Sequence, residues 1–279
     1  MTDARSLSAI SSVLVAVFPI LSLLAAAQEK KECRYTVGPK AIVSITNNYG
    51  AITVKSSGSD QVLATTISYS DAVTFENDQH GNRIELRASS RRQGSNLADY
   101  AVVVPANAFV IMRSSDGKLQ VRGLRGDVIL EGVTGAVEAT DISNAHLRVK
   151  TLSGQVNLTG IRDSHVDVRS VSGNVNLHNV SGSSFEVNSG SGRITYDGDP
   201  GSAGEYLFTT HSGDLEVSIP ASVPVDIKAH SLKGEVDQVL PSVGSVSAPS
   251  QNSLLKAGIV NASRFVLHSF RGRIHIQRP

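Results

Sequence analysis

The sequence has no tryptophan, one cysteine and only 5 % aromatic residues in 279. With so few large rings, Val, Ile, Leu and Ala must carry the core, and Val and Ile favour strands. The single thiol, Cys33, excludes an intramolecular disulfide and any metal site built on several thiolates. Its plain reading is a free thiol near the start of the mature chain. Net charge is only +1, and no basic stripe is interleaved with aromatics, so nothing points to nucleic acid as a partner. No long amphipathic helix can be read anywhere.

A membrane span is missing too. Residues 13–27, VLVAVFPILSLLAAA, form an apolar run of fifteen, short of the roughly 20 needed to cross as a helix. Ala25, Ala26 and Ala27 offer a small-x-small cleavage site before Gln28. The expectation is a signal peptide over 1–27 and a single mature domain over 28–279, exported to the periplasm, the cell surface or the medium. Cys33 follows Lys-Glu rather than small residues, which argues against a lipidated cysteine.

What the sequence does have is repetition. SGQVNL and SGNVNL recur with Gly154 and Gly173 nineteen residues apart. The unit is glycine followed by two aliphatic residues at alternate positions, and it opens at Gly117, Gly135, Gly154, Gly173, Gly192, Gly213, Gly234 and Gly272. From Gly135 to Gly192 the spacing is nineteen each time, and Thr134, Ser153, Ser172 and Ser191 precede those glycines. Half-units lie between, with Ala145, Ser164 and Ser183 in place of glycine. Alternation of aliphatic and polar residues is the mark of a strand with one buried face. Glycine accepts φ > 0 at little cost, so these glycines are expected as turn residues.

The physical reading is an all-β solenoid of short strands, two per nineteen-residue coil, over 114–237. No coil can bury its own apolar face, so coils stack and bury a continuous aliphatic column. A β-sandwich of short hairpins is the alternative. The region 40–113 is strand-rich but less regular, with strands expected at 41–46, 51–55, 62–69, 82–88 and 100–104 and a weaker one at 73–75. A polar loop is expected at 91–96, a bulge at 197–206 and a Ser/Pro/Gly-rich loop at 241–252. Strands at 265–267 and 273–276 are expected to close the stack, with the irregular N-terminal region capping its other end.

These repeats, together with HSGDLEVSIPASVPVDIKAHSLKGEV over 211–236 and the terminal SFRGRIHI over 269–276, resemble the DUF4097 family of adhesin-like, toastrack domains. The resemblance covers roughly 41–276. It implies a right-handed, β-helix-like exported bacterial domain. It brings no catalytic residues with it.

Chemistry is thinly signalled. There is no G-x-S-x-G elbow, H-E-x-x-H, P-loop or dinucleotide fingerprint. The acids Asp127, Glu131, Asp141, Asp163, Asp167 and Glu186 are spread out, and no cofactor is implied. One column stands out: Asp127, His146, His165 and Ser184, each nineteen apart and each just before an inward aliphatic residue. Stacked on an outer face, two imidazoles beside a carboxylate could hold a divalent metal; the plainer reading is a solvated polar ladder with no metal. Arg148 and Asp167 are expected to pair across rungs, and Asn157 and Asn176 to stack. The functional expectation is a non-catalytic envelope or cell-surface module that binds a surface polymer or an envelope protein. A polysaccharide-active β-helix enzyme and an envelope-stress sensor are the alternatives.

Overall fold

The computed structural model describes residues 29–38, 40–90, 97–239 and 262–279. The signal peptide expected over 1–27 and the loops expected at 91–96 and 241–252 lie outside the described residues. Twenty-three strands and no helix are present among those described. They begin with β1 (Glu29–Thr36), β2 (Ile42–Asn47), β3 (Ile52–Ser57), β4 (Gln61–Ser68), β5 (Val73–His80), β6 (Arg83–Ser90), β7 (Ala98–Pro105), β8 (Phe109–Ser114), β9 (Leu119–Arg122), β10 (Val128–Gly132) and β11 (Val137–Thr140). They continue with β12 (His146–Thr151), β13 (Val156–Thr159), β14 (His165–Ser170), β15 (Val175–His178), β16 (Ser184–Ser189), β17 (Ile194–Asp197), β18 (Glu205–Thr210), β19 (Leu215–Ser218), β20 (Val225–Ser231), β21 (Val236–Val239), β22 (Ser263–Ser269) and β23 (Ile274–Gln277). Among the described residues all of them lie between Glu29 and Gln277.

The strands form two long sheets. One runs β1-β4-β7-β3-β9-β11-β13-β15-β17-β19-β23-β21, the other β20-β22-β18-β16-β14-β12-β10-β8-β2-β6-β5. Each coil places one strand in each sheet, and coils stack in parallel register: Val137 beside Val156, Val156 beside Val175, Val175 beside Ile194. A sandwich of hairpins would pair strands antiparallel. Here the antiparallel pairs are confined to β1–β4, β4–β7 and β5–β6, at the N-terminal end. The fold is an all-β solenoid.

Period-2 patterning fills its interior. Val128, Leu147, Val166 and Phe185 follow one another in register and are all buried. Fully burying each such side chain contributes about 1.5–3 kcal/mol. Three of the scarce aromatics are gathered in one column: Phe185, Tyr206 and Phe265 are register neighbours whose rings stack at 4.9 and 4.4 Å. The bulge expected at 197–206 docks there, with the Tyr206 hydroxyl donating to the Pro200 carbonyl at 2.8 Å.

The corner glycines do form one column, but not for the reason read from the sequence. None of the eight has positive φ. What they share is close approach. A Cβ on Gly135, Gly154, Gly173 or Gly192 would lie 2.0–2.1 Å from the carbonyl oxygen of the glycine one rung below. Only a residue without Cβ lets the rungs close to sheet spacing there. Beneath every one of these corners except Gly135 sits a hydroxyl three residues before the glycine. The Gly117, Gly154, Gly192, Gly213, Gly234 and Gly272 amides donate to Ser114, Thr151, Ser189, Thr210, Ser231 and Ser269 at 2.8–3.0 Å. The hydroxyls at the preceding position, Ser153 and Ser172, instead lie outside and reach carbonyls of the rung below.

Both ends depart from chain order. The coil β22–β23 does not close the stack as expected. It is inserted between β18–β19 and β20–β21, which leaves β20 and β21 as the outer strands. Closure there is made by side-chain clamping instead: the Arg278 guanidinium donates to the carbonyls of Pro220, Ala221 and Val223. At the other end the coil β2–β3 lies inside β6–β7, and β1, β4 and β5 fold over antiparallel. Polar β1 was not anticipated. It carries half-buried Cys33, whose sulfur accepts from Asn77 Nδ2 at 3.6 Å.

Candidate functional site

The column expected at Asp127, His146, His165 and Ser184 forms on the outward face of the sheet containing β10, β12, β14 and β16. His146 faces His165, and His165 faces Ser184, as register partners. Inward Leu147, Val149, Val166 and Val168 are buried, which turns these polar residues outward. The two imidazole rings stack with centroids 5.0 Å apart and planes 15° from parallel. Asp127 precedes β10 and accepts the main-chain N–H of His146 at 3.0 Å. Its carboxylate thus serves the backbone rather than the ring. The hydroxyl nearest His165 belongs to Ser183, 3.4 Å from Nδ1, rather than to Ser184.

The next column outward carries charge. Arg148 pairs with Asp167 at 3.4 Å, as expected, and Arg169 reaches the same carboxylate at 3.2 Å from its own strand. Asp167 is thereby bracketed by two guanidinium groups. This second arginine was legible as an i, i+2 neighbour on one face but was not read. Beyond it, Asn188 donates to Glu186 at 2.8 Å. On the opposite sheet Asn176 donates to Asn157 at 2.8 Å in the expected ladder.

Asp127, His146, Arg148, His165, Asp167, Ser184 and Glu186 line an open furrow of about 410 Å³, with Phe109 and Ile129 among its apolar lining. A second depression of about 800 Å³ adjoins it, sharing Phe109 and Asp127 and lined further by Lys40, Arg125 and Asn144. The sequence reading did not include this second part: Arg125 and Asn144 are nineteen apart, in the period of the repeat, but were not read as a column, and Lys40 comes from the irregular N-terminal region. Asp141 and Asp163, counted among the acids, are turn residues with left-handed backbone, φ 55° and 48°.

Among the described residues no three of His, Cys, Asp or Glu are placed to hold a metal ion. Asp127, His146 and His165 share a column without forming a ligand set. Ser183 and His165 are close, but no described carboxylate bonds the imidazole's other nitrogen, as the orienting member of a triad would. The arrangement offers donors and acceptors at sheet spacing, about 4.8 Å, on a rigid backbone.

Over residues 41–257 the chain matches the family model described as toastrack DUF4097. The chain belongs to the toastrack DUF4097 family. No curated protein matches it at a significant level. Among solved structures, a candidate lipid-binding protein from Parabacteroides distasonis is 10 % identical, with 88 % of this chain and 96 % of that one covered and a TM-score of 0.52. A candidate adhesin from Bacteroides fragilis is 12 % identical over 90 % of this toastrack chain and 98 % of its own, with a TM-score of 0.45. A candidate cell adhesion protein from Clostridium sporogenes is 17 % identical over 90 % and 100 %, with a TM-score of 0.35. At such identities the first of these likenesses concerns the toastrack fold alone. No helix among the described residues is long and apolar enough to cross a membrane.

Proposed function

We propose that this toastrack protein is an exported, non-catalytic binding module of the cell envelope, adhesin-like in mode. The outward face bearing His146, Arg148, His165 and Asp167 holds an extended polar polymer. The observation that carries this reading is the register-locked polar furrow. Its groups repeat rung by rung, and it runs on into a second depression rather than closing into a pocket. An open furrow with a repeating pattern suits a chain ligand better than a small molecule, which is usually mostly enclosed.

The test is co-sedimentation of the chain from Gln28 with envelopes of its source cells, with soluble sugar measured in the same tube. Saturable pelleting without sugar release is expected. His146→Ala combined with Arg148→Ala should weaken it about tenfold, the effect of losing one or two charge-assisted contacts. Sugar release would sink the non-catalytic reading. Export is tested separately: removing residues 1–27 should leave the protein in the cytoplasm.

A further inference from the structure

Six large apolar side chains are exposed among the described residues, and four of them, Val133, Leu152, Val171 and Leu232, occupy a single position of the repeat. That position lies two residues before a corner glycine. Their exposures are 40, 51, 56 and 58 %. Scattered exposed apolar residues need no explanation. Four in one column do, because the corner is where a soluble repeat would be expected to place polar groups.

The column is continuous through the backbone. Ser153 N–H donates to the Val133 carbonyl at 2.8 Å, Ser172 to Leu152 at 2.8 Å and Ser191 to Val171 at 2.9 Å. Further along, Gly190 accepts from Ser212, His211 from Arg271 and Phe270 from Lys233, each at 3.0 Å. The ridge therefore reads Val133, Leu152, Val171, Gly190, His211, Phe270, Leu232, one residue per rung. At about 4.8 Å per rung it is roughly 29 Å long. His211 and Phe270 stack at 4.9 Å, which extends the apolar line across the inserted coil.

Its shoulders are cationic. Lys150 and Arg169 stand two residues before Leu152 and Val171, on the same face. Lys233 and Arg271 flank the Phe270 ring at 5.3 and 5.7 Å. Lys150, Lys233 and Arg271 have no acidic partner within ion-pair distance among the described residues. The shoulder acids are both engaged: Glu131 is held by Arg113 at 2.7 Å, and Asp116, beside Gly117 at the end of the line, accepts from Thr134 Oγ1 at 2.8 Å. On the glycine side Thr134, Ser153, Ser172, Ser191 and Ser212 are small, and on the other side Asn188, Thr209, His230 and His268 carry no acid.

We propose that this ridge is a docking edge for an anionic lipid surface, with the apolar tips entering the headgroup boundary and the cations meeting lipid phosphates. A line of single exposed side chains, one per rung, suits a bilayer interface, which conforms to it. The positive shoulders complement anionic headgroups.

The test uses the chain from Gln28 with vesicles of phosphatidylcholine, alone or mixed with phosphatidylglycerol. Pelleting with the mixed vesicles and little with phosphatidylcholine alone is expected. Leu152→Ser with Leu232→Ser should lower binding by about tenfold or more. Lys233→Glu with Arg271→Glu should lower it by roughly fivefold per cation and remove the anionic preference. All four positions are exposed, so an unchanged thermal midpoint shows that the variants fold. No pelleting by the wild type, or equal pelleting of wild type and both variants, overturns the proposal. Self-association that is lost in the leucine variant without vesicle binding would assign the ridge to contact between copies, and overturns it equally. The polymer reading is unaffected by either result, since the furrow lies in other columns.

Discussion

Gly154 sits on the Gly135 carbonyl so closely that a Cβ would lie 2.0 Å from its oxygen. The same contact recurs along the corner, so rung spacing at this edge is set by an atom that must be absent. Gly154→Ala should lower stability by roughly 2–4 kcal/mol, because backbone on both sides resists the shift. Gly58 has nothing within 4 Å and no positive φ, so Gly58→Ala should be neutral or stabilising by up to about 1 kcal/mol. Urea unfolding of the two variants compares them directly.

Buried and exposed corner hydroxyls should separate as sharply. Ser189→Ala removes the acceptor of the buried Gly192 amide and should cost about 1–2 kcal/mol. Ser172→Ala alters a solvent-facing hydroxyl and should stay within about 0.5 kcal/mol of wild type. Thermal denaturation followed by circular dichroism is sufficient.

Removing residues 262–279 should do more than shorten the stack. β20 pairs with β22 and β21 with β23, so both outer strands lose their sheet partner. Amides over 225–239 should lose hydrogen-exchange protection, and the midpoint should fall by more than about 5 °C. Persistent protection there would contradict the inserted position of the last coil.

Tyr100, Tyr196 and Tyr206 provide a pH signature. Burial, first of all, pushes each phenol well above its ordinary value of 10.0. A raised folded value means that the fold favours the neutral ring. The contribution is complete below pH 10 and is lost as pH rises from there toward the folded values. Phenolate absorbance should show three of the six tyrosines ionising only together with cooperative unfolding.

The nineteen-residue period, the facing of each strand and the Arg148–Asp167 and Asn157–Asn176 ladders could be read directly, because each rests on local alternation and fixed spacing. Other features could not. Every corner glycine looks alike in sequence, so nothing local tells that Gly272 sits between Gly213 and Gly234. The glycines were read as turn formers because the sequence shows residue type, not the distance to the next rung. The S/T-x-x-G signal at Thr151, Ser189 and Thr210 was visible but overshadowed by the hydroxyl directly before each glycine. Within the candidate site one periodic column was found; Arg125 and Asn144, also nineteen apart, were passed over because no chemistry marked them, and Lys40 comes from the irregular N-terminal region that only the folded chain brings beside them.

At both ends strands return out of chain order, whereas the middle is a simple succession. Duplicating or deleting one nineteen-residue unit between Gly135 and Gly192 leaves both ends untouched and changes the length by about 4.8 Å. The molecule is in that sense a graduated ruler. Its lineage can adjust reach in fixed increments without redesigning either terminus.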